Sequence, residues 1–327
     1  MARSVKVAIA GASGIGKHHA KWHYEAGSEV VGFLGRDEER CKATMAALKE
    51  IFDFSGRAYW DFDNLLDEER PDVVDVCTPH KEHYDHTFKA LEAGAHVLCE
   101  KPLFWSADLA PEVLLERSRD MLALAQRKKR VLGVCTQYVA SLPHYFKLYE
   151  PECGAFENPT YFFAEMETLS RGYKRDINEL WIDMGSHPLS LLLSFMPTGA
   201  IDPDSLKVQF NGDQAHARFC FVGKNTCQCE IIVRDIVDGQ PVRRFGVNGF
   251  IVDCSGRPDE QGVYRAVLQR GDQELIGEDF MSMLIRQFDD TVAGLDKTPL
   301  VPGAFGVRNL ELQLEILARV QKAVVVD

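Results

Sequence analysis

Directly behind a short β-branched run, Val5–Ala10, the chain reads Gly11-Ala12-Ser13-Gly14-Ile15-Gly16 and passes into a helical pattern. Glycines at such spacing let a tight turn bring backbone N–H groups, and the positive end of a helix, against a pyrophosphate. Ser13 occupies the middle position of G-x-G-x-x-G, and Gly14 supplies a glycine one place later. The strand before and the helix after are the context a dinucleotide loop requires; a glycine-rich strand-to-helix turn is the plain structural alternative. The next strand ends Phe33-Leu34-Gly35-Arg36-Asp37. An acid at that end suits a ribose 2′-hydroxyl, whereas an arginine attracts a 2′-phosphate. Gly35 followed by Arg36 therefore favours NADP over NAD, with Asp37 as the alternative ribose partner.

Further along, Lys101 falls just past the carboxyl end of a strand, where open α/β sheets bind their ligands. Asp183 and His187 are four residues apart on a helical stretch, so they share a face and the carboxylate can orient or charge the imidazole. Gln137 and Tyr138, at the end of the sixth strand, are placed to line a cleft. Trp181, beside Asp183, could stack on a sugar ring or anchor its helix, and the core is the better reading. His80, His83 and His86 recur every three residues, but no cysteine or carboxylate set completes a coordination sphere, so no metal is expected. The basic loop Arg171-Gly-Tyr173-Lys174-Arg175 reads first as a solvated charge run and second as a contact for an anionic group.

These residues need a scaffold, and the pattern supplies one of two domains, expected at 1–128 and 129–327. Up to about residue 135, short apolar runs at Val5–Ala10, Glu29–Leu34, Arg57–Trp60, Asp72–Cys77, His96–Cys99 and Arg130–Cys135 alternate with helical segments. Successive βαβ units of this kind build a doubly wound parallel sheet. Asp37 and Asp108 are expected to cap helices, and Gly27 and Gly94 to stop them. After Gln137 the rhythm changes to alternating strands, among them Gln214–Val222, Thr226–Arg234, Val242–Cys254 and Val263–Arg270, with helices near Leu180–Met196, Glu278–Leu295 and Arg308–Val325. Alternation with short turns marks an α+β domain on an open, mainly antiparallel sheet.

The charge balance, −12 over 327 residues with no long Lys/Arg run, lacks the footprint of a nucleic-acid or anionic-membrane binder. No apolar run approaches the ~20 residues of a membrane span. Nine scattered cysteines suit buried, reduced thiols rather than a disulfide framework, and Cys227 and Cys229 read as same-face core. A cytoplasmic protein acting on small molecules is expected.

The runs Cys77-Thr78-Pro79-His80-Lys81-Glu82-His83, Ala93-Gly94-Ala95-His96-Val97-Leu98-Cys99-Glu100-Lys101-Pro102 and Asp183-Met-Gly185-Ser-His187 resemble motifs of the Gfo/Idh/MocA family of oxidoreductases, as does Gly11-x-x-Gly14-Ile15-Gly16-x-x-His19-Ala20. The likeness spans residues 5–103 and, beyond them, the last motif. It implies a Rossmann domain followed by an open-sheet domain, with the nicotinamide at their interface. Lys101, Asp183 and His187 are then the catalytic set, and Gly11, Ser13, Gly14, Ile15, Gly16, Arg36, Thr78, Pro79, His83, Glu100 and Lys101 the cofactor contacts, with Gln137, Tyr138 and Trp181 as substrate candidates. The implied reaction moves a hydride between nicotinamide and a secondary alcohol or ketone of a sugar, cyclitol or related polyol. Glycoside cleavage or epimerisation through transient oxidation, and a dinucleotide-sensing regulator without turnover, are the alternatives. Relatives often pair sheet to sheet, so a homodimer or homotetramer is expected. The sequence departs from the family at Ser13, at His80 in place of Asn, at Ser190 in place of a second Asp, and at Asn178-Glu179-Leu180-Trp181-Ile182 where Gly-Gly is common. The stretch Leu103 to Lys129 also looks longer than usual, which suggests an extended loop.

Overall fold

The computed structural model describes residues 4–170, 172 and 175–324. They divide into two compact units: the chain up to Thr136 with Met281–Val307, and Gln137–Phe280 with the residues from Arg308 on.

In the first unit, strands β1 (Lys6–Ala10), β2 (Glu29–Leu34), β3 (Arg57–Tyr59), β4 (Val73–Val76), β5 (His96–Glu100) and β6 (Leu132–Cys135) alternate with helices α1 (Gly16–Glu25), α2 (Glu38–Ile51), α3 (Phe62–Glu69), α4 (His83–Glu92) and α5 (Pro111–Lys128). The sheet is parallel throughout in the order β3-β2-β1-β4-β5-β6. Its central strands are buried on both faces, which is why their text, Asp75 apart, runs apolar without alternating. Asp37 caps α2 by accepting from the Arg40 N–H at 2.8 Å, and Gly27 and Gly94 follow α1 and α4 with φ of +91° and +90°.

Asp108 is not a cap: α5 starts three residues later at Pro111, whose missing N–H suits a first helical position, behind an uncapped Ala110. Nor is Leu103 to Lys129 an extended loop. Most of it is α5, and the connection that precedes the helix begins with buried Leu103 and Phe104.

The second unit carries α6 (Leu142–Cys153), β7 (Tyr161–Leu169), α7 (Ile177–Phe195), and then β8 (Ala200–Ile201), β9 (Lys207–Asn211), β10 (Gln214–Val222), β11 (Thr226–Ile236), β12 (Arg243–Val247), β13 (Phe250–Pro258), β14 (Tyr264–Arg270) and β15 (Gln273–Glu278). Its sheet runs β15-β14-β13-β12-β7-β11-β10-β8, with β9 on β10, and only β7 and β11 pair in parallel. Ala215, Ala217, Phe219 and Phe221 all face the core, as the alternation predicted, and so do Cys227 and Cys229. All nine cysteines are free thiols. Val242–Cys254, expected as one strand, is a hairpin: Asn248 and Gly249 take φ of +55° and +82° and turn β12 into β13. The Tyr145 hydroxyl locks that hairpin, donating to Phe250 O at 2.9 Å and accepting from the Val247 N–H at 3.0 Å.

Two helices close the order, α8 (Phe280–Val292) and α9 (Gly303–Val324). From Met281 the chain rejoins the first unit, where the Phe288 ring lies so close to Gly133 that a Cβ there would stand 2.8 Å from it. Val134 N–H donates to Val301 O at 2.9 Å. This return, and the pairing of β6 with β5, are why the units differ from a single cut between 128 and 129. No helix among the described residues is long and apolar enough to cross a membrane.

Candidate active site

The glycine loop is set by close contacts. Gly11 has φ +92°, and a Cβ on it would lie 2.9 Å from Cys77 O, behind β4; one on Gly16 would lie 2.3 Å from Gly11 O. A side chain at either position would open the turn. Gly14 faces open space, and Ser13, Gly14 and Ile15 are exposed. No side chain caps α1; the N–H groups of Lys17 and His18 turn back onto Gly14 O and Ile15 O, at 3.4 and 2.9 Å. Ser13 is outside the positive-φ region, so serine is accommodated without backbone strain. This exposed, uncapped helix start behind a tight turn fits the pyrophosphate of a dinucleotide.

At the end of β2, Arg36 is exposed while Asp37 is occupied with its helix cap. Gly35 is crowded: its Cβ would sit 2.5 Å from Cys41 Sγ. His83 is fully buried, with Nδ1 2.9 Å from Pro102 O and Nε2 2.8 Å from Thr78 O. Burial holds its pKa below the ordinary histidine value. Enclosed in this way, it ties the segment after β5 to the one after β4, and the expectation of a direct cofactor contact gives way to a positioning role. Thr78 Oγ1 is 3.2 Å from His86 Nδ1, and Pro79 is exposed. Glu100, buried at the end of β5, accepts the N–H of half-buried Lys101 at 3.0 Å.

Behind Glu100 runs a feature that the sequence reading missed. His19 Nε2 is 3.2 Å from Glu100 and its Nδ1 2.8 Å from Asp75; His23 Nε2 is 3.0 Å from Asp75 and its Nδ1 2.8 Å from Asp289, which also accepts from Ser28 Oγ at 2.6 Å. Each ring presents both nitrogens to carboxylates, the arrangement of imidazolium cations. Burial alone would lower both pKa values, but the Asp75 charge raises His19 to about 10 and the Asp289 charge raises His23 to about 9. Against the same burial, the two cations hold Asp75 below the usual carboxylate range. Cys77 and Cys135 join His19 in two groups of metal-ligand type, but the nitrogens of His19 already face carboxylates, and an ionic network accounts for them. No signal in the text points to it, because the partners are up to 266 residues apart.

In the second unit, Tyr138 packs edge-to-face on buried His187, with ring centroids 5.1 Å apart. Asp183 is gripped by Arg175 Nη1 at 2.8 Å, and Arg175 also forks onto Asp235 at 2.6 and 3.0 Å. The carboxylate expected to orient His187 is therefore engaged by a guanidinium. Arg171, Tyr173 and Lys174, of the basic loop, lie outside the described residues. Trp181 is fully buried, donates its indole N–H to Gln313 O at 3.3 Å and packs on Phe210, so it anchors α7 and is not a substrate platform. Gln137 and Tyr138 do line a cavity, of about 180 Å³, together with residues of β12 to β14.

Residues 5–136 match the sequence model of an oxidoreductase family with an NAD-binding Rossmann fold, Gfo/Idh/MocA. The chain is 34% identical over 133 residues to D-glucoside 3-dehydrogenase of Escherichia coli, an alignment that takes in 39% of this chain and about a third (34%) of that protein's length. It is 25% identical over 243 residues to UDP-N-acetylglucosamine 3-dehydrogenase of Acidithiobacillus ferrooxidans, covering 74% of this chain and 71% of that protein. A solved structure of the latter enzyme superposes with a TM-score of 0.74 at 20% identity, over 97% of both chains, a likeness of fold.

Proposed function

The chain belongs to the Gfo/Idh/MocA oxidoreductase family, and from that premise we propose that it is an NADP-preferring dehydrogenase or reductase acting on a secondary alcohol or ketone of a sugar, cyclitol or related polyol. The observation that carries this reading is the uncapped, glycine-shaped start of α1, which fits a dinucleotide, within a chain that also holds Lys101 and a cavity bordered by the His187 partner Tyr138. Gly11, Ser13, Gly14, Ile15 and Gly16 hold the pyrophosphate; Thr78, Pro79, Glu100 and Lys101 complete the cofactor side. Arg36 reads the 2′-phosphate, a reading supported by Asp37 being taken up as a helix cap. When bound, the nicotinamide takes up or gives back the hydride.

The chain's own groups manage the proton. In the oxidative direction His187 removes it from the substrate hydroxyl while the Lys101 ammonium stabilises the developing alkoxide. Asp183, held by Arg175, belongs to the same constellation. Glu100 fixes the Lys101 backbone. We also assign the chain a homodimer or homotetramer and a cytoplasmic location.

The test is a panel of polyols and keto sugars offered with NAD and NADP in parallel and followed at the nicotinamide absorbance. Turnover of at least one, faster with NADP, is expected. Tight dinucleotide binding with no turnover across the panel would favour the regulator reading, and an isomerised or cleaved product without net cofactor change the redox-assisted one.

A further inference from the structure

Of the tryptophans, Trp181 is fully buried, and Trp22 and Trp105 are half-buried. Trp60 is 58% exposed, and among the described residues its indole meets no other ring, no cation and no hydrogen-bond partner. Tryptophan is a highly buried side chain on average, so an indole left in water at a defined place calls for an occupant. The backbone defines the place. Tyr59 ends β3 and pairs with Leu34 at the end of β2, and the Gly35 N–H donates to Tyr59 O at 2.7 Å. Trp60 therefore follows that bond on one strand and Arg36 follows it on the other, at the same carboxyl edge of the sheet. Asp61, next to Trp60, is turned back as the cap of α3, accepting from the Asn64 N–H at 2.9 Å.

Ligands of open α/β sheets lie across this edge. The order β3-β2-β1 sets out three stations in a row: the glycine turn behind β1 for a pyrophosphate, Arg36 behind β2 for a ribose and its 2′-phosphate, and Trp60 behind β3. Neighbouring strands are ~4.8 Å apart, so β3 stands ~10 Å from β1, a span that a ribose and a base can bridge. The third station offers a broad π face. A base stacks on such a face whatever its edge groups, whereas a bare phosphate or sugar would leave the indole in water. A second copy of the chain is the poorer occupant, since β3 is an edge strand of only three residues and offers little backbone to pair with.

We propose that Trp60 is the platform on which the adenine of the dinucleotide stacks, so that the indole sets the affinity for NAD and NADP alike while Arg36 sets the choice between them. The inference deepens the dinucleotide reading, on which it rests, but needs no turnover. Isothermal titration of the full chain with NADP, NAD and adenosine 2′,5′-bisphosphate tests it. Trp60→Leu should weaken all three by about tenfold and leave the ratio of NADP to NAD affinity unchanged, because the base is common to them. Trp60→Phe, which keeps a ring, should recover most of the loss. Adenosine 2′,5′-bisphosphate carries no nicotinamide and should quench the tryptophan fluorescence of the wild type. That quench should be largely lost in Trp60→Phe although the ligand still binds.

Wild-type affinities in Trp60→Leu, a shifted NADP-to-NAD ratio, or a quench of undiminished size in Trp60→Phe would overturn the proposal. Unchanged nucleotide affinities together with a lost dimer in Trp60→Leu would make the indole a contact between copies instead. Trp60-dependent nucleotide binding without turnover of any polyol would leave the platform standing and the oxidoreductase reading fallen. Polyols oxidised by wild type and Trp60→Leu at equal rates and with equal cofactor KM would do the reverse.

Discussion

His19 Nδ1 lies 2.8 Å from Asp75 Oδ2 with both side chains fully shielded from water, and the other nitrogen of the ring faces Glu100, the residue before Lys101. A charged relay buried this way is stable only while every member keeps its charge, since removing one partner leaves an uncompensated ion in low dielectric.

Stability should therefore depend on pH on both flanks. The two histidines have folded pKa values raised to about 10 and about 9, above the ~6.5 of an unfolded chain, so their contribution is complete below pH ~6.5 and is lost as pH rises through 9 to 10. Asp75 is depressed, so its contribution is complete above the ordinary carboxylate value and disappears as pH falls below it. Urea midpoints measured from about pH 2 to about 10.5 should fall at both ends, and the alkaline fall should shrink in His23→Gln. Asp75→Asn should cost about 3–5 kcal/mol at pH 7. A midpoint unchanged up to pH 10.5 would mean that the rings are neutral in the fold.

Cofactor choice turns on Arg36. Arg36→Ala should weaken NADPH by about 1–3 kcal/mol, the scale of a hydrogen bond to a charged group, and leave NADH as it was; fluorescence titration of both cofactors checks it. The mirror substitution is not clean, because a Cβ at Gly35 meets Cys41 Sγ at 2.5 Å. Gly35→Asp should be paired with Cys41→Ala, and the pair should shift preference toward NADH. Equal losses for both cofactors in Arg36→Ala would remove the argument.

Within the loop the glycines divide. Gly11→Val and Gly16→Val force side chains into carbonyl groups and should abolish dinucleotide binding, whereas Gly14→Ala, facing open space, should leave the fold intact and Ser13→Gly should bind as well as wild type or better. Affinity measured on variants with native circular dichroism decides; a Gly11→Val protein that binds normally would make the loop an ordinary turn.

Catalysis should fail where binding does not. Lys101→Met and His187→Ala are each expected to lower turnover by about a hundredfold or more, with cofactor affinity little changed. Asp183→Asn breaks the grip of Arg175 and should lower kcat while shifting the pH profile of the oxidative reaction. Mutants that turn over substrate at wild-type rates would refute the assigned roles.

Much of this molecule was legible in one dimension, for reasons visible at particular residues. The parallel sheet announced itself because Val7–Ala10 and Val73–Val76 are covered on both faces, and the loop because only glycine fits at 11 and 16. The strand β7 did not, since Glu165 and Glu167 interrupt its apolar text; they are tolerated inside because Arg234 and Arg244 neutralise them. The short acidic α3 and the Pro151-bearing α6 were equally silent. The Asn248-Gly249 dipeptide was a readable hairpin signal that the reading passed over. The histidine relay depends on contacts across long separations, which composition and period do not encode.

The return of residues 281–307 to the first unit bears on the order of assembly. A nascent chain emerges amino end first, and domains usually fold as they appear. Here the leading sheet is complete in strands at Cys135, yet His23 waits for Asp289 and Gly133 for Phe288, so the first unit finishes only after the whole second sheet has been made. A truncation at residue 136 yields a nucleotide-binding fragment with a half-neutralised buried cation and a bare apolar seam, a poor candidate for independent expression. The two units are interleaved in synthesis, and neither can be cut from the gene as a contiguous block.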